Sequence, residues 1–324
     1  MDWPAVIQHG GSKVPDTIET QQKTRERNQA WFGLLDSGQE KRAADSVSNF
    51  TRTKMREDGF YRKILPPVKI TNDELDRAVD TEKPLKIIDK ENDNPPAISL
   101  PFANLPVNIY VKAPKYRVLF DRIVSPRFTK DVDELRTYQM DVRTVMTDNA
   151  IKDMLAEEDS KFLTAVNTAL GSKDATHPLA QTALYQGISG GITRDSVVES
   201  LKIMNRSVFR LEAHTCLTNF VTWKEFMKWG RDEMGGDLSE QIVKNGMAEA
   251  HFLSKDWVVT IKRDLVPDDN VYMFADPKFI GKNFLLEDTT LWMKREMWFL
   301  DWCLYLSGGG AIGHIGGLAR AAFE

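Results

Sequence analysis

Hydrophobic and polar positions follow different periods along this chain of 324 residues, and the changes of period mark its elements. Asp16 followed by Glu19 makes a cap-like start for a helix running to about Leu35. Positions 21–29 of that helix are almost wholly polar, and its apolar residues Trp31, Phe32, Leu34 and Leu35 crowd the far end. A helix with so little apolar stripe is expected to bury poorly in its own domain. It reads either as a loosely docked terminal helix or as an arm lying on a neighbouring subunit. A second helical stretch covers 43–57, stops at Gly59, and is broken by Ile64-Leu65-Pro66-Pro67.

From Pro66 to Pro126 the period changes to two. Alternation is visible in 98–102, 107–111 and 116–120, the last reading Tyr116-Arg117-Val118-Leu119-Phe120. Prolines 84, 95, 96, 101, 106 and 114 are scattered through the same stretch, and each removes a ladder donor, so these strands are not expected in the middle of a sheet. A ribbon of this length is a long excursion, marginal in water as two isolated strands, and a partner surface for it is physically motivated.

The strongest helix follows. Ile151, Met154, Leu155, Phe162, Ala165, Val166 and Ala169 form one stripe that ends at Gly171, so 149–170 is expected to span about 33 Å at about 1.5 Å per residue. The acid run Glu157-Glu158-Asp159 within it reads as solvated helix-face charge. After a Gly- and Ser-rich loop over 172–192, a helix opens at Thr193 with Val197, Val198, Leu201 and Met204 on one face. Strands are expected near 212–217, 257–262 and 271–274, with a capping box at 222–225 and a helix over 239–245. From Phe284 onward the chain is β-like and aromatic, with six glycines after Ser307.

Composition narrows the classes. Hydrophobic residues at 42% and charged residues at 28% describe a folded globular chain, and no run of 18 apolar residues occurs to cross a membrane. The start lacks a basic segment followed by an apolar one, so no secretory leader is expected. Forty-three basic against 47 acidic residues, interleaved, give −4, without the cationic stripe of a tight DNA binder. Two cysteines, Cys216 and Cys303, exclude a disulfide framework and a four-cysteine zinc site.

Candidate chemistry is thin. Gly187-Ile188-Ser189-Gly190-Gly191 matches the G-x-S-x-G nucleophile elbow, but 180–186 is a poor buried strand, and His214, His251 and His314 lack a diagnostic setting. Gly308 to Gly313 satisfies G-x-G-x-x-G literally, with only eleven residues left for the helix, strand and acid that a dinucleotide site needs. His214-x-Cys216 is at most a fragment of a metal site. Trp292, Trp298, Phe299, Trp302 and Tyr305 read as core or subunit interface. No catalytic site, cofactor or metal is expected.

In their order these elements resemble the major capsid proteins of tailed bacteriophages, the α+β Hong Kong 97-like shell fold, from about residue 50 to the end. Glu57-Asp58-Gly59-Phe60-Tyr61-Arg62-Lys63-Ile64-Leu65-Pro66-Pro67 is similar to the family's entry into its first β segment, and the proline-studded ribbon sits where its extended loop belongs. Tyr116 to Phe120, then Leu155-Ala156-Glu157-Glu158-Asp159 with Phe162, resemble a strand and the spine helix of the peripheral domain. The stretch from Asp269 to Pro277, Gly281 and Asp288-Thr289 resembles the late axial strands, and Gly316-Gly317-Leu318-Ala319-Arg320 the terminal one.

The resemblance implies an N-terminal arm over 1–65, a peripheral domain over 66–82 and 117–170 containing the spine helix, and an extended loop over 83–116. An axial domain over 171–285, a return to the peripheral domain over 286–305 and an axial C-terminal strand over 306–324 complete it. It further implies a structural subunit that assembles into hexamers and pentamers around double-stranded DNA without sequence specificity. A portal and a separate scaffold or decoration protein would be its other partners, with no membrane, and it would reside in the virion after assembly in the host cytoplasm. Contacts between subunits are expected from Ile87, Ile88, Leu100, Phe102, Ile109 and Tyr110 in the loop and from Trp31, Phe32, Leu34 and Leu35 in the arm. Removal of residues 1–38 is accordingly expected to leave a folded subunit with impaired assembly. The alternatives are a cytosolic serine hydrolase using Ser189 and an encapsulin-like cargo shell.

Overall fold

The apolar end of the first helix finds cover within the chain. The structure, a computed structural model, describes residues 18–90, 99–102, 105, 114–138, 141–229, 251–252 and 254–324. Helix α1 (Ile18–Asp36) turns through Gly38, at a φ of +72°, into α2 (Glu40–Asp58). The chain then divides into two units, one made of residues 1–59, 122–159 and 285–308, the other of 60–121, 160–284 and 309–324.

In the first unit Trp31, Phe32 and Leu35 of α1 are buried with Ala43, Ala44 and Val47 of α2. Val142, Met146, Ala150, Ile151, Met154 and Leu155, all from helix α5 (Val142–Leu170), join the same core. The long strands β11 (Gly281–Glu296) and β12 (Phe299–Ile312) add Leu285, Leu291, Leu300, Trp302 and Leu304. Several buried polar groups of this unit are matched by hydrogen bonds. Trp31 Nε1 donates to Ala43 O at 3.3 Å, Trp302 Nε1 to Met146 O at 2.9 Å, and the Leu291 amide to Ser48 Oγ at 2.9 Å. Asn28 Oδ1 accepts the Val142 amide at 3.2 Å and so caps α5. The expectation that α1 buries poorly in its own unit is corrected. Its apolar residues are few, but they are bunched in its last two turns, where α2 and α5 supply small and apolar side chains to meet them.

Helix α5 has 29 residues, about 44 Å, and starts earlier than its sequence stripe was read. Val142, Met146 and Ala150 extend that stripe backward at helical spacing. Glu157 is exposed, but Glu158 and Asp159 are buried, with 6% and 1% exposure, and both have interaction partners. This corrects their reading as solvated charge, since a buried carboxylate persists only when it is paired.

The second unit is built on a six-stranded sheet in the order β6-β13-β10-β7-β9-β8. Its members are β6 (Tyr185–Ile188), β7 (Thr215–Asn219), β8 (His251–Phe252), β9 (Lys255–Thr260), β10 (Asn270–Phe274) and β13 (Leu318–Phe323). The β6–β13 and β7–β9 pairs are parallel, and β10 lies antiparallel between β13 and β7, Tyr272 opposite both Arg320 and Leu217. Alternation is lost in β7 and β10, which are buried at every position, the pattern of strands covered on both faces. Phe162, Leu163, Val166 and Leu170 pack in this core with Val197, Ile203 and Met204 of α6 (Arg194–Arg206). Thr193 and Ser196 cap α6 reciprocally.

Arg320 ties this sheet to the helix end. Its guanidinium lies 4.3 Å from the Tyr185 ring centre and 4.9 Å from that of Tyr272, and donates at 3.0 Å to both Asn270 Oδ1 and Asn167 Oδ1. It has no carboxylate partner among the described residues, so aromatic faces and amide oxygens hold the cation instead. The expected helix over 239–245 lies outside the described residues.

A further five-stranded sheet runs β1-β11-β12-β4, with β5 also pairing β12. Here β1 is Pro67–Lys69, β4 is Asp121–Val124 and β5 is Phe128–Asp131. The glycine-rich end of β12 has a steric purpose. Strand β3 (Lys115–Leu119) passes so close that a Cβ on Gly309 would overlap the Leu119 carbonyl oxygen, and one on Gly313 would stand 2.7 Å from the Tyr116 ring. Gly309→Ala should therefore destabilise the protein by about 1–3 kcal/mol, because backbone must move. Gly33→Ala, in open space on α1, should stabilise it by about 0.5–1 kcal/mol. Paired denaturant titrations check both signs.

Candidate assembly surface

The ribbon begins where the sequence places it. Strand β2 (Leu85–Asp89) pairs antiparallel with β3, from Leu85 opposite Leu119 to Asp89 opposite Lys115, and among the described residues no third strand joins them. Amides beyond the strands lengthen the ladder at both ends, Phe120 N to Pro84 O at 3.0 Å and Lys90 N to Pro114 O at 2.8 Å. Leu85 and Val118 are fully buried, whereas Ile87 and Ile88 are half-buried. Charges line the base: Lys83 with Asp121 at 2.8 Å, Lys115 with Asp89 at 3.5 Å, and Arg117 with Asp80. Asp76 accepts the Ile87 amide at 2.8 Å, and that bond, with Lys86 beside it, holds the carboxyl below its ordinary value. The base of the ribbon thus rests on the chain itself, through Gly309 and Gly313.

Farther out the cover is missing. Leu100 is 39% exposed, and Phe102 and Leu105 are essentially fully exposed at 104% and 90%. Leu105 is a residue that the alternation did not single out. Ile109 and Tyr110 lie outside the described residues.

The four arm residues are placed otherwise than their expected role requires. Trp31, Phe32 and Leu35 are covered by the chain's own core, and only Leu34 is half-buried. Deleting 1–38 would strip three large side chains from that core, so such a variant is no test of an arm. What α1 leaves open is its polar side, along a cavity of about 750 Å³ lined by Gln21, Gln22, Arg25, Asn28, Arg136 and Tyr138 among others.

A second exposed apolar feature stands at the turn between β11 and β12. Met297, Trp298 and Phe299 are 71%, 54% and 47% exposed. Met297 has a φ of +56°, a conformation that glycine or asparagine adopts at less cost. Its carbonyl accepts Arg295 Nε at 3.2 Å and the Trp298 carbonyl accepts the Val132 amide at 2.9 Å, so the turn's backbone is held while its side chains protrude. Of the aromatic cluster read from the sequence, Trp302 is core, and Trp292, beneath Arg127 at 5.4 Å, lies at the surface.

The motifs that suggested chemistry are dispersed. Ser189 follows the edge strand β6 but is exposed, and helix α6 starts only at Arg194. Gly190 and Gly191 instead donate their amides to the main-chain oxygen of Glu324, at 2.7 and 3.0 Å. Among the described residues no histidine is hydrogen-bonded to Ser189: His314 Nδ1 accepts the Gly316 amide, and His177 Nδ1 that of Leu179. Gly308 to Ile312 is extended strand, followed only by the three-residue 3-10 turn Ile315–Gly317 and strand β13. Cys216 is fully buried, which pushes its thiol up to about 12 and disfavours the thiolate that a metal would need. Among the described residues no group of three or more His, Cys, Asp or Glu is placed to hold a metal, and no helix is long and apolar enough to cross a membrane.

No protein-family model and no curated protein matches the sequence. Solved structures do. The mature capsid of bacteriophage PhiM1 matches with a TM-score of 0.56 at 9% identity, over 82% of this chain and 87% of that one. The capsid of cyanophage P-SCSP1u matches with 0.55 at 11% identity, over 76% and 85%. Microbacterium phage Oxtober96 matches with 0.54 at 10% identity, over 82% and 91%. The chain is α+β with the Hong Kong 97-like fold of these shells.

Under the exposed turn, Asp301 accepts Thr129 Oγ1 at 2.5 Å and pairs with Arg127. The Thr129 bond first, then the guanidinium, holds its carboxyl below the ordinary 3.8. A lowered folded value stabilises the protein fully above the unfolded value and loses that effect as pH falls through the folded one. Asp301→Asn should therefore be less stable than wild type at neutral pH, with the gap closing in acid below the carboxylate range. Denaturant titrations across pH check this.

Proposed function

We propose that this Hong Kong 97-like chain is a structural major capsid protein. Its copies form hexamers and pentamers of the icosahedral head of a tailed phage, enclosing double-stranded DNA. The observation that carries the reading is the uncovered ribbon. Leu100, Phe102 and Leu105 leave apolar surface in water that a neighbouring copy would cover. Ile87, Ile88, Ile109 and Tyr110 belong to the same proposed contact. The likeness in fold to phage capsids supports it.

In this reading the unit containing α1 and the turn at Met297 is peripheral, and the six-stranded sheet is axial. An arm contact would be made by Leu34 and the polar side of α1, since Trp31, Phe32 and Leu35 serve the subunit's own core. The mixed surface at −4 suits contact with DNA by tolerance rather than by sequence. A portal and a separate scaffold or decoration protein are the other proposed partners, the virion is the proposed location, and assembly would take place in the host cytoplasm. Ser189, exposed and without a histidine bonded to it, gives no support to a hydrolase.

Electron microscopy and sedimentation of the purified chain test the proposal. Rings, tubes or closed particles are expected, and a chain that stays monomeric at high concentration would contradict it. Replacing Leu100, Phe102 and Leu105 by serine should leave the melting transition unchanged. Each lost side chain removes about 1.5–3 kcal/mol of burial, so the concentration at which assembly begins should rise at least about tenfold.

A further inference from the structure

The six-stranded sheet ends at β6 on one side, and the outer edge of that strand is already occupied. The carbonyls of Leu184 and Ile188 accept the amides of Arg320 and Glu324 at 2.8 and 2.9 Å, so the even-numbered residues along β6 bond to β13. Tyr185 and Gly187 therefore turn their backbone groups away from the sheet, as the open row of an edge strand. Asp174 meets both of them. Its amide donates to Tyr185 O at 2.7 Å, and its Oδ1 accepts the Gly187 amide at 2.9 Å.

Asp174 stands where a residue of an added strand would stand, and the pairing stops there. Its φ of +56° turns the chain off the edge, so a side-chain oxygen takes the bond that a further strand residue would have taken. The bridge between Thr176 and Ala183 closes the loop that carries it. Lys173 covers the same place: a Cβ on Gly187 would overlap its side chain, and its ammonium pairs with Glu324. An arriving strand would have to break both Asp174 bonds, displace the lysine stem and separate that ion pair. The glycines of the G-x-S-x-G match thereby gain a use other than catalysis. Gly187 admits the lysine stem, and Gly190 and Gly191 hold the main-chain oxygen of Glu324. We infer that Lys173 and Asp174 form an edge guard, which keeps β6 of one copy from pairing antiparallel with β6 of another. Two copies of one edge are self-complementary about a twofold axis, and every meeting of two copies offers that pairing. The guard acts whether or not the copies build a shell.

Asp174→Gly keeps the turn's φ and removes the carboxylate, whereas Asp174→Asn keeps both the φ and an Oδ1 acceptor. Near-ultraviolet circular dichroism and the melting transition report the fold. Amide exchange at Gly187, read by mass spectrometry, reports the edge itself, so assembly through other surfaces does not mimic the result. In dilute Asp174→Gly this amide is expected to exchange about fivefold faster than in wild type. As concentration rises the exchange should slow again, and sedimentation should show species that wild type lacks. Asp174→Asn should match wild type throughout. Unchanged exchange in Asp174→Gly would mean that Asp174 guards nothing, and exchange that stays fast at every concentration would mean that an open β6 takes no strand. Either result overturns the inference. Lys173→Ala uncovers Gly187 without touching the turn's own bonds and is expected to associate in the same way. Should Asp174→Gly misfold, Lys173→Ala alone decides, and its sedimenting as wild type at every concentration overturns the guard.

Discussion

Apolar side chains need cover, and this chain carries more of them than its two cores enclose. Trp31, Met146, Leu291 and Trp302 fill one interior, and Phe162, Trp257, Tyr272 and Phe274 fill the other. Phe102, Leu105, Met297 and Trp298 are left outside. Phe102 and Leu105 stand in the segment between β2 and β3, and Met297 and Trp298 at the turn between β11 and β12. Water exacts a cost for each exposed group, and the cost is recovered only when something else covers it. Under the proposed shell function, this surface is that of a component.

Where the groups sit matters as much as their number. Both features are rigid at the root and apolar at the end. The ribbon's base is pinned by ion pairs and by close approach to Gly309 and Gly313, and the turn by hydrogen bonds to its carbonyls. Anchored projections meet a neighbour with little loss of freedom. Contacts repeated around a closed assembly let modest pair energies sum to a stable particle. No strong single interaction is required, which fits a surface whose ion pairs are mostly exposed and individually weak.

The long helix and strand β3 were legible because both signals are local, whereas the alternation at 98–102 misled, since residues 99–102 are not strand. A 3.6-residue stripe from Ile151 to Ala169 and a proline-studded alternating stretch need no partner to be recognised. The start of α5 was legible too, in Val142, Met146 and Ala150 and in Asp141, whose carboxylate accepts the Arg143 amide, whereas Asn28 adds its cap from 114 residues away. Glu158 and Asp159 look like any exposed acids in a helix, and only the packed structure buries them. The tip at Met297 was hidden among aromatics that read as a single cluster, since neighbours in a strand divide between core and surface according to what lies across the sheet.

Sequence alone determined the kinds of element and their order, the proline-limited ribbon, the near-neutral charge and the poverty of catalytic motifs, because propensity, periodicity and composition act over a few residues. Tertiary structure alone decided that Trp31, Phe32 and Leu35 serve the subunit's own core. It also decided that the late glycines make room for β3 and that, among the described residues, no histidine is bonded to Ser189. Each of these depends on segments far apart in the chain, as when Ser48 meets Leu291, and such meetings are set by the packing of whole faces rather than by any local pattern.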